Sequence, residues 1–194
     1  MQKSSRLWMG IAALILISVY FFPIWSISLN APQYPEGIGL NIKVNNIEGK
    51  EPNDLQNING LNHYIGMKTI NPESIPELQY MPYIFGFMIV TGLVIAGWGG
   101  RKLVLSWLVL FALLAIAGLV DFYIWEYNYG HDLNPNAPIK VPGMTYQPPL
   151  IGSKQLLNIN ATSLPHIGFF GALLSMGIGG FVYWRERARE RLNK

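Results

Sequence analysis

Apolar and polar residues alternate along this chain in long blocks, and four apolar blocks are long enough to cross a bilayer as helices. A transmembrane helix requires about 20 mostly apolar residues. The blocks cover residues 7–27, 80–99, 103–124 and 166–184, and their few ionisable groups lie near the ends. The pattern predicts an all-α membrane protein: a bundle of four transmembrane helices, forming a single membrane domain over residues 1–194.

Two long polar stretches separate these helices on one side of the membrane. They cover residues 28–79 and 125–165 and are rich in proline, asparagine and glycine. Side chains alternate over residues 40–47, which predicts a strand that turns at residues 48–50. We therefore expect the two outer loops to form a small cap with minor β-structure. The polar tail 185–194 is expected to extend the fourth helix.

The basic residues give the orientation. Hydrophobic residues make up 51% of the chain and charged residues only 13%, whereas soluble domains have about 25% charged residues. Cytoplasmic loops are enriched in lysine and arginine. Nine of the 14 basic residues fall on one side of the predicted membrane, namely Lys3, Arg6, Arg101, Lys102, Arg185, Arg187, Arg189, Arg191 and Lys194. We expect a multi-pass protein of the cell inner (plasma) membrane with both termini cytoplasmic, and no nucleic acid partner.

The first apolar block could also be a cleaved signal peptide. Cleavage requires small residues in an A-x-A-like pattern, and the residues after this block show none, while Pro32 follows Ala31. We predict an uncleaved anchor helix. The chain has no cysteine, which excludes disulfides, iron–sulfur clusters and thiolate metal sites.

Small residues recur every four positions in two of the predicted helices. Such spacing lets helix backbones approach closely. The pattern indicates packing within the helical bundle, or alternatively a docking face for a partner subunit. The residues are Gly92, Ala96 and Gly100 in one helix and Gly171, Ser175 and Gly179 in the other.

Three ionisable residues fall near the outer ends of the predicted helices. Asp121 lies in the last turn of the third helix, Glu126 follows at the interface, and His166 begins the fourth helix. Ionisable groups in membrane helices usually face a bundle interior or a cavity. Asp121 and His166 could form a metal-binding or proton-handling pair, or a structural hydrogen bond between two helix ends.

Histidine and methionine supply the soft ligands of this chain. His63 and Met67 are four residues apart, a spacing that places two side chains on one face of a helix, and His131 and Met144 lie in the second loop. Thioether favours Cu(I), and imidazole suits both copper states. The set predicts a copper site, with packing of methionine against aromatic rings as the alternative.

Three strings in the chain resemble a known type of membrane protein. They are APQYPEG at 31–37, NGLNHYIGM at 59–67 and PPLIG at 148–152. The chain resembles small four-helix membrane proteins encoded beside nitrous oxide reductase and its copper-maturation factors in Bacteroidetes-like bacteria. This resemblance implies a respiratory, copper-related setting at the periplasmic face and supplies no catalytic residues.

These observations predict a non-enzymatic accessory protein at the outer, periplasmic face, acting in copper handling or in maturation of a respiratory metalloenzyme. Its partners would be membrane lipid and other membrane or periplasmic proteins. The alternative is a structural or scaffold subunit with no ligand of its own, and a third hypothesis is a quinone- or haem-using subunit. The candidate metal ligands are His63, Met67, His131, Met144, His166 and Asp121.

Overall fold

A computed structural model describes residues 1–192, which form five α-helices and one five-stranded sheet. Lys194 and the end of the predicted tail 185–194 lie outside the described residues. The helices are α1 (Lys3–Ile15), α2 (Asp54–Ile65), α3 (Pro76–Trp98), α4 (Arg101–His131) and α5 (Ile167–Leu192). The strands are β1 (Trp25–Ala31), β2 (Tyr34–Ile42), β3 (Ile47–Gly49), β4 (Gly152–Leu156) and β5 (Ile159–Pro165). Short 3₁₀ turns cover Leu16–Tyr20 and Pro72–Ser74.

The sheet is antiparallel throughout and joins the two long polar stretches of the sequence. Its strand order is β3-β2-β1-β5-β4. The central strand β1 pairs with β2 from the first stretch and with β5 from the second. Because β1 follows the first helical segment and β5 leads directly into α5, the sheet is attached at one end of the helices.

Trp25 packs the sheet against the helices. Its ring lies edge-on to Phe122 of α4 and to Phe169 of α5, with ring centroids 5.5 and 5.6 Å apart. Its indole Nε1 donates a hydrogen bond of 2.7 Å to the Ser163 hydroxyl on β5. A buried tryptophan needs a partner for its N–H group, and Ser163 supplies that partner.

Small residues bring the helices into close contact. The Ser175 hydroxyl of α5 donates a 2.7 Å hydrogen bond to the Ala12 carbonyl of α1. A Cβ at Gly171 would clash with the Ser18 hydroxyl, and a Cβ at Gly92 would lie 2.8 Å from the Ala13 methyl group. The predicted packing of small residues inside the helical region is therefore observed.

The prediction of an all-α bundle of four transmembrane helices is wrong. Within residues 1–192, three helices are long and apolar enough to cross a membrane: Pro76–Trp98, Arg101–His131 and Ile167–Leu192. The apolar block 7–27 is divided: α1 ends at Ile15, a 3₁₀ turn follows, and Trp25 begins β1. Hydrophobicity alone cannot separate a buried strand from a helix segment, and Pro23 interrupts the helical hydrogen bonding.

The outer loops contain more regular structure than the minor β-structure predicted for the cap. The alternating stretch 40–47 is also not one strand. Strand β2 ends at Ile42, and Lys43 N donates to the Asn46 carbonyl at 2.8 Å, so the turn lies at residues 43–46 instead of the predicted 48–50. A 2.7 Å ion pair between Lys43 and Glu48 spans this hairpin.

Candidate functional site

The sheet, α2 and the last turns of α4 surround a cavity of about 490 Å³. Pockets that bind small molecules usually have about 300–1,000 Å³ and apolar walls with a few polar groups. The aliphatic part of this wall comes from the sheet, α2 and the loops beside them, namely Ile27, Leu29, Leu40, Ile58, Leu61, Ile65, Ile70, Ile139, Leu156, Leu157 and Ile159. The cavity therefore has the size and composition of a ligand site.

Hydrogen bonds to the sheet hold the start of α2 at this position. The buried Asp54 carboxylate accepts hydrogen bonds from Gly39 N at 2.9 Å and from Glu51 N at 3.2 Å. A carboxylate in the first turn of a helix also compensates the partial positive charge of the helix N-terminus. Asp54 thus fixes the helix that forms one wall of the cavity.

The end of α2 is fixed by the residues that follow it. The Asn59 side chain accepts from Ile70 N at 2.7 Å and donates to the Ile70 carbonyl at 3.1 Å. Gly66 ends the helix with a φ of 83°, a left-handed conformation that glycine adopts without steric cost. Its carbonyl accepts from Asn134 N at 2.8 Å, which brings the second long stretch across the site.

Residues 132–151, which we call the closing segment, cover the cavity between α4 and β4. Ile139 N donates to the Tyr64 carbonyl at 2.9 Å, and Tyr146 N donates to the Gly130 carbonyl at 3.0 Å. A Cβ at Gly130 would clash with the backbone nitrogen of Gln147. The missing side chain at Gly130 therefore lets the closing segment lie directly on α4.

Glu126 places a carboxyl group in the wall of this cavity. It lies beyond the apolar block 103–124, in the part of α4 that packs on the sheet and α2. The residue is 0% exposed, and neither carboxyl oxygen has a hydrogen-bond partner within residues 1–192. Leaving a buried acceptor unpaired costs about 1–3 kcal/mol, and burial without a partner favours the neutral carboxyl over the carboxylate.

Tyr146 brings a second unpaired group to the same cavity. The residue is 4% exposed, and its hydroxyl has no hydrogen-bond partner among residues 1–192. Tyr146 contacts α4 through Gly130, which is four residues after Glu126 and therefore on the same helix face. Within the described residues, this apolar cavity is thus lined by two polar groups that have no hydrogen-bond partner, the Glu126 carboxyl and the Tyr146 hydroxyl.

Aromatic rings form much of the remaining wall. Trp125 and Tyr129 of α4 lie with their ring centroids 4.3 Å apart, and the Tyr129 hydroxyl donates to the Thr69 carbonyl at 2.9 Å. Tyr34 of β2 and Tyr64 of α2 also line the cavity. The site therefore combines aliphatic walls, aromatic rings, the Met67 thioether, the amides of Gln33, Asn62 and Asn158, and a single carboxyl group.

The structure separates the predicted pair His63 and Met67. Because α2 ends at Ile65, Met67 does not continue the helical face on which His63 lies. The His63 side chain is exposed and packs edge-on to Tyr64, whereas Met67 lines the cavity. Met67 is the one predicted metal ligand, among the described residues, that reaches this cavity.

The other predicted ligands lie elsewhere. His131 stacks on Tyr127 at 3.9 Å, and its Nδ1 lies 2.9 Å from the Tyr127 carbonyl oxygen. Met144 is half-buried in the closing segment, and Asp121 is exposed on α4. His166 has an unpaired, buried Nδ1, and no hydrogen bond or ion pair links it to Asp121 in the described part of the chain.

No three histidine, aspartate or glutamate side chains within residues 1–192 form a group that could hold a metal ion. Copper binding therefore stays a prediction from the sequence. From the sequence, Glu126 was noted for its position at the membrane interface, and Tyr146 was missed. The signal for Glu126 was an acidic residue among aromatic ones in the run Trp125–Tyr129.

Comparison with known proteins does not assign this chain to a family. No family model matches this sequence, and a search of curated proteins finds no match. The resemblance to proteins encoded beside nitrous oxide reductase therefore stays a prediction. The functional proposal below therefore rests on the geometry of the cavity.

Proposed function

We propose that this protein is a membrane-embedded accessory protein whose sheet domain binds a small, mostly apolar molecule. The observation that carries the proposal is a mostly apolar cavity of about 490 Å³, lined by Glu126 and Tyr146, whose polar groups have no hydrogen-bond partner among residues 1–192. A largely apolar pocket with a few convergent polar groups is the usual form of a small-molecule site.

The free-energy cost of leaving these two groups unpaired favours a bound molecule over an empty cavity. The Glu126 carboxyl and the Tyr146 hydroxyl each lose their hydrogen bonds to water when buried, at a cost of about 1–3 kcal/mol per group. A molecule that hydrogen-bonds to both would offset this cost, and its apolar body would contribute about 25 cal/mol for each Å² of apolar surface removed from water.

The basic residues support a location for this binding. Arg6, Arg101 and the arginines of the C-terminal part of α5 lie at the ends of the helices opposite the sheet. Since basic residues favour the cytoplasmic side, we place the cavity at the outer face of the membrane. The protein would receive, hold or present an apolar molecule there, without catalysing a reaction.

The proposal is tested by filling the cavity. Leu61 and Leu55 are both half-buried leucines of α2, but only Leu61 lines the cavity. Equilibrium dialysis would measure binding of phenylbutanol and of phenylbutylamine to the full-length protein in nonionic detergent, with protein-free micelles as the blank. Leu61→Trp should weaken binding by about tenfold or more, or about 1.4 kcal/mol, because the indole occupies the space of the ligand.

Leu55→Trp is the matched control and should bind like the wild type. Saturable binding to the wild type that is lost in Leu61→Trp alone supports the proposal. Absence of saturable binding for both compounds, or equal binding to the wild type and Leu61→Trp, would refute it.

A further inference from the structure

We infer that the molecule bound in this cavity is a lipophilic cation, an apolar amine or alkylammonium compound. The inference rests on the proposed function and specifies its ligand class. It is carried by the charge of the lining residues and by the aromatic rings that line the same cavity as Glu126.

The lining residues carry one acidic side chain and no basic one. Within residues 1–192, Glu126 is the only acidic residue that lines the cavity, and no lysine, arginine or histidine lines it. A fatty acid or a phospholipid head group would find no cation there and would face the Glu126 carboxyl. The cavity therefore disfavours anionic lipids.

An ammonium group matches the unpaired atoms that the cavity presents. Both oxygens of Glu126 and the hydroxyl oxygen of Tyr146 can accept hydrogen bonds, and an ammonium carries several N–H donors. Buried charges are tolerated when they are paired and hydrogen-bonded. A bound ammonium would stabilise the ionised form of Glu126, because it supplies a counter-ion that the described part of the chain does not provide.

The aromatic rings favour a cation over a neutral head group. Five aromatic residues line the cavity, and Trp125 flanks Glu126 directly in the sequence; the others are Tyr34, Tyr64, Tyr129 and Tyr146. A cation within about 6 Å of an aromatic face is attracted to the ring, and aromatic cages recognise ammonium ligands in this way. An alcohol of the same shape would gain hydrogen bonds but no such attraction.

Three probes of one shape test the charge of the ligand. Phenylbutylamine, phenylbutanol and phenylbutyrate share an apolar body and differ in a cationic, neutral or anionic head group. We expect the amine to bind the wild-type protein at least about tenfold more tightly than the alcohol, and the carboxylate to bind most weakly. This ranking of the three affinities is measured on the wild-type protein, so a variant that fails to fold cannot affect it.

Two variants test whether Glu126 causes the preference for the amine over the alcohol. Glu126→Gln should reduce the amine to the affinity of the alcohol, because the amide keeps the shape but removes the charge. Glu36→Gln removes an exposed acid of β2 that does not line the cavity, and it should keep the wild-type ranking. This control separates a specific ion pair from general attraction of cations to the protein.

The outcomes distinguish this inference from the proposed function. If the alcohol or the carboxylate binds as tightly as the amine, or if Glu126→Gln keeps the amine preference, the cation inference is wrong while cavity binding stands. If neither the amine nor the alcohol binds the wild type, the proposed function fails together with the inference.

Discussion

Two buried acids in this protein should respond to substitution with opposite signs. Glu126 is fully buried, and neither of its oxygens has a hydrogen-bond partner in the part of the chain that the structure describes, whereas the buried Asp54 accepts hydrogen bonds from Gly39 N and Glu51 N. Replacing Glu126 by leucine removes an unpaired polar group from an apolar wall and keeps a similar side-chain size. Replacing Asp54 by alanine leaves two backbone donors without an acceptor.

The magnitudes follow from the cost of an unpaired buried group, about 1–3 kcal/mol. Glu126→Leu should raise the free energy of unfolding of the ligand-free protein by about this amount, and Asp54→Ala should lower it by at least as much. For a chain of 150–250 residues, 1 kcal/mol corresponds to about 2–4 °C in Tm. The two variants should therefore shift Tm by several degrees in opposite directions.

The assay is thermal unfolding of the purified protein in nonionic detergent, after extensive washing to remove bound molecules. Washing matters because a ligand that binds only the folded wild type would raise its Tm. The same Glu126→Leu variant should bind phenylbutylamine more weakly than the wild type does, so the free energy of unfolding rises while the affinity falls. A lower Tm for Glu126→Leu would refute the reasoning, because it would mean that the carboxyl group stabilises the fold.

Two further predictions concern the walls of the cavity. Gly130→Ala should displace the closing segment, because the added Cβ clashes with the Gln147 backbone, and should lower phenylbutylamine affinity in dialysis; Gly118→Ala, on the same helix with open space around it, should not. Asn59→Ala should lower the unfolding free energy by about 1–3 kcal/mol, since two hydrogen bonds to Ile70 are lost. Wild-type binding in Gly130→Ala, or an unchanged Tm in Asn59→Ala, would contradict these assignments.

The sequence predicts the three long helices because each is a continuous apolar run, but it misplaces their ends. The block 103–124 becomes α4 from Arg101 to His131. Its last turns are polar and aromatic, and they remain helical because they pack on the sheet and α2. A search for continuous apolar stretches finds only residues of lipid-like composition. It therefore cannot find a polar helix end that is stabilised by tertiary contacts.

The sheet is hard to predict because its pairing is non-local. In the central pair, Trp25 lies opposite Pro165, 140 residues away along the chain. A period-2 pattern identifies a local strand but not its partner. Trp25 and Ile27 also extend an apolar block, so they were assigned to a helix although they begin the central strand.

The cavity could not be predicted for the same reason. Glu126 and Tyr146 line the same cavity because the closing segment crosses α4 at Gly130, and no sequence spacing predicts that crossing. The copper prediction used the helical spacing of His63 and Met67. That argument requires a helix through residue 67, and Gly66 ends the helix one residue earlier.

Photo-labelling tests the central claim most directly, because it reports where an apolar molecule binds. A diazirine derivative of phenylbutylamine would be irradiated with the full-length protein in nonionic detergent, and labelled peptides would be mapped by mass spectrometry. We predict labelling of Asp54–Ile65 and of the α4 residues around Glu126, which excess phenylbutylamine suppresses and which Leu61→Trp strongly reduces. Labelling confined to the apolar surfaces of α3 and α5, and unchanged by competitor, would contradict it.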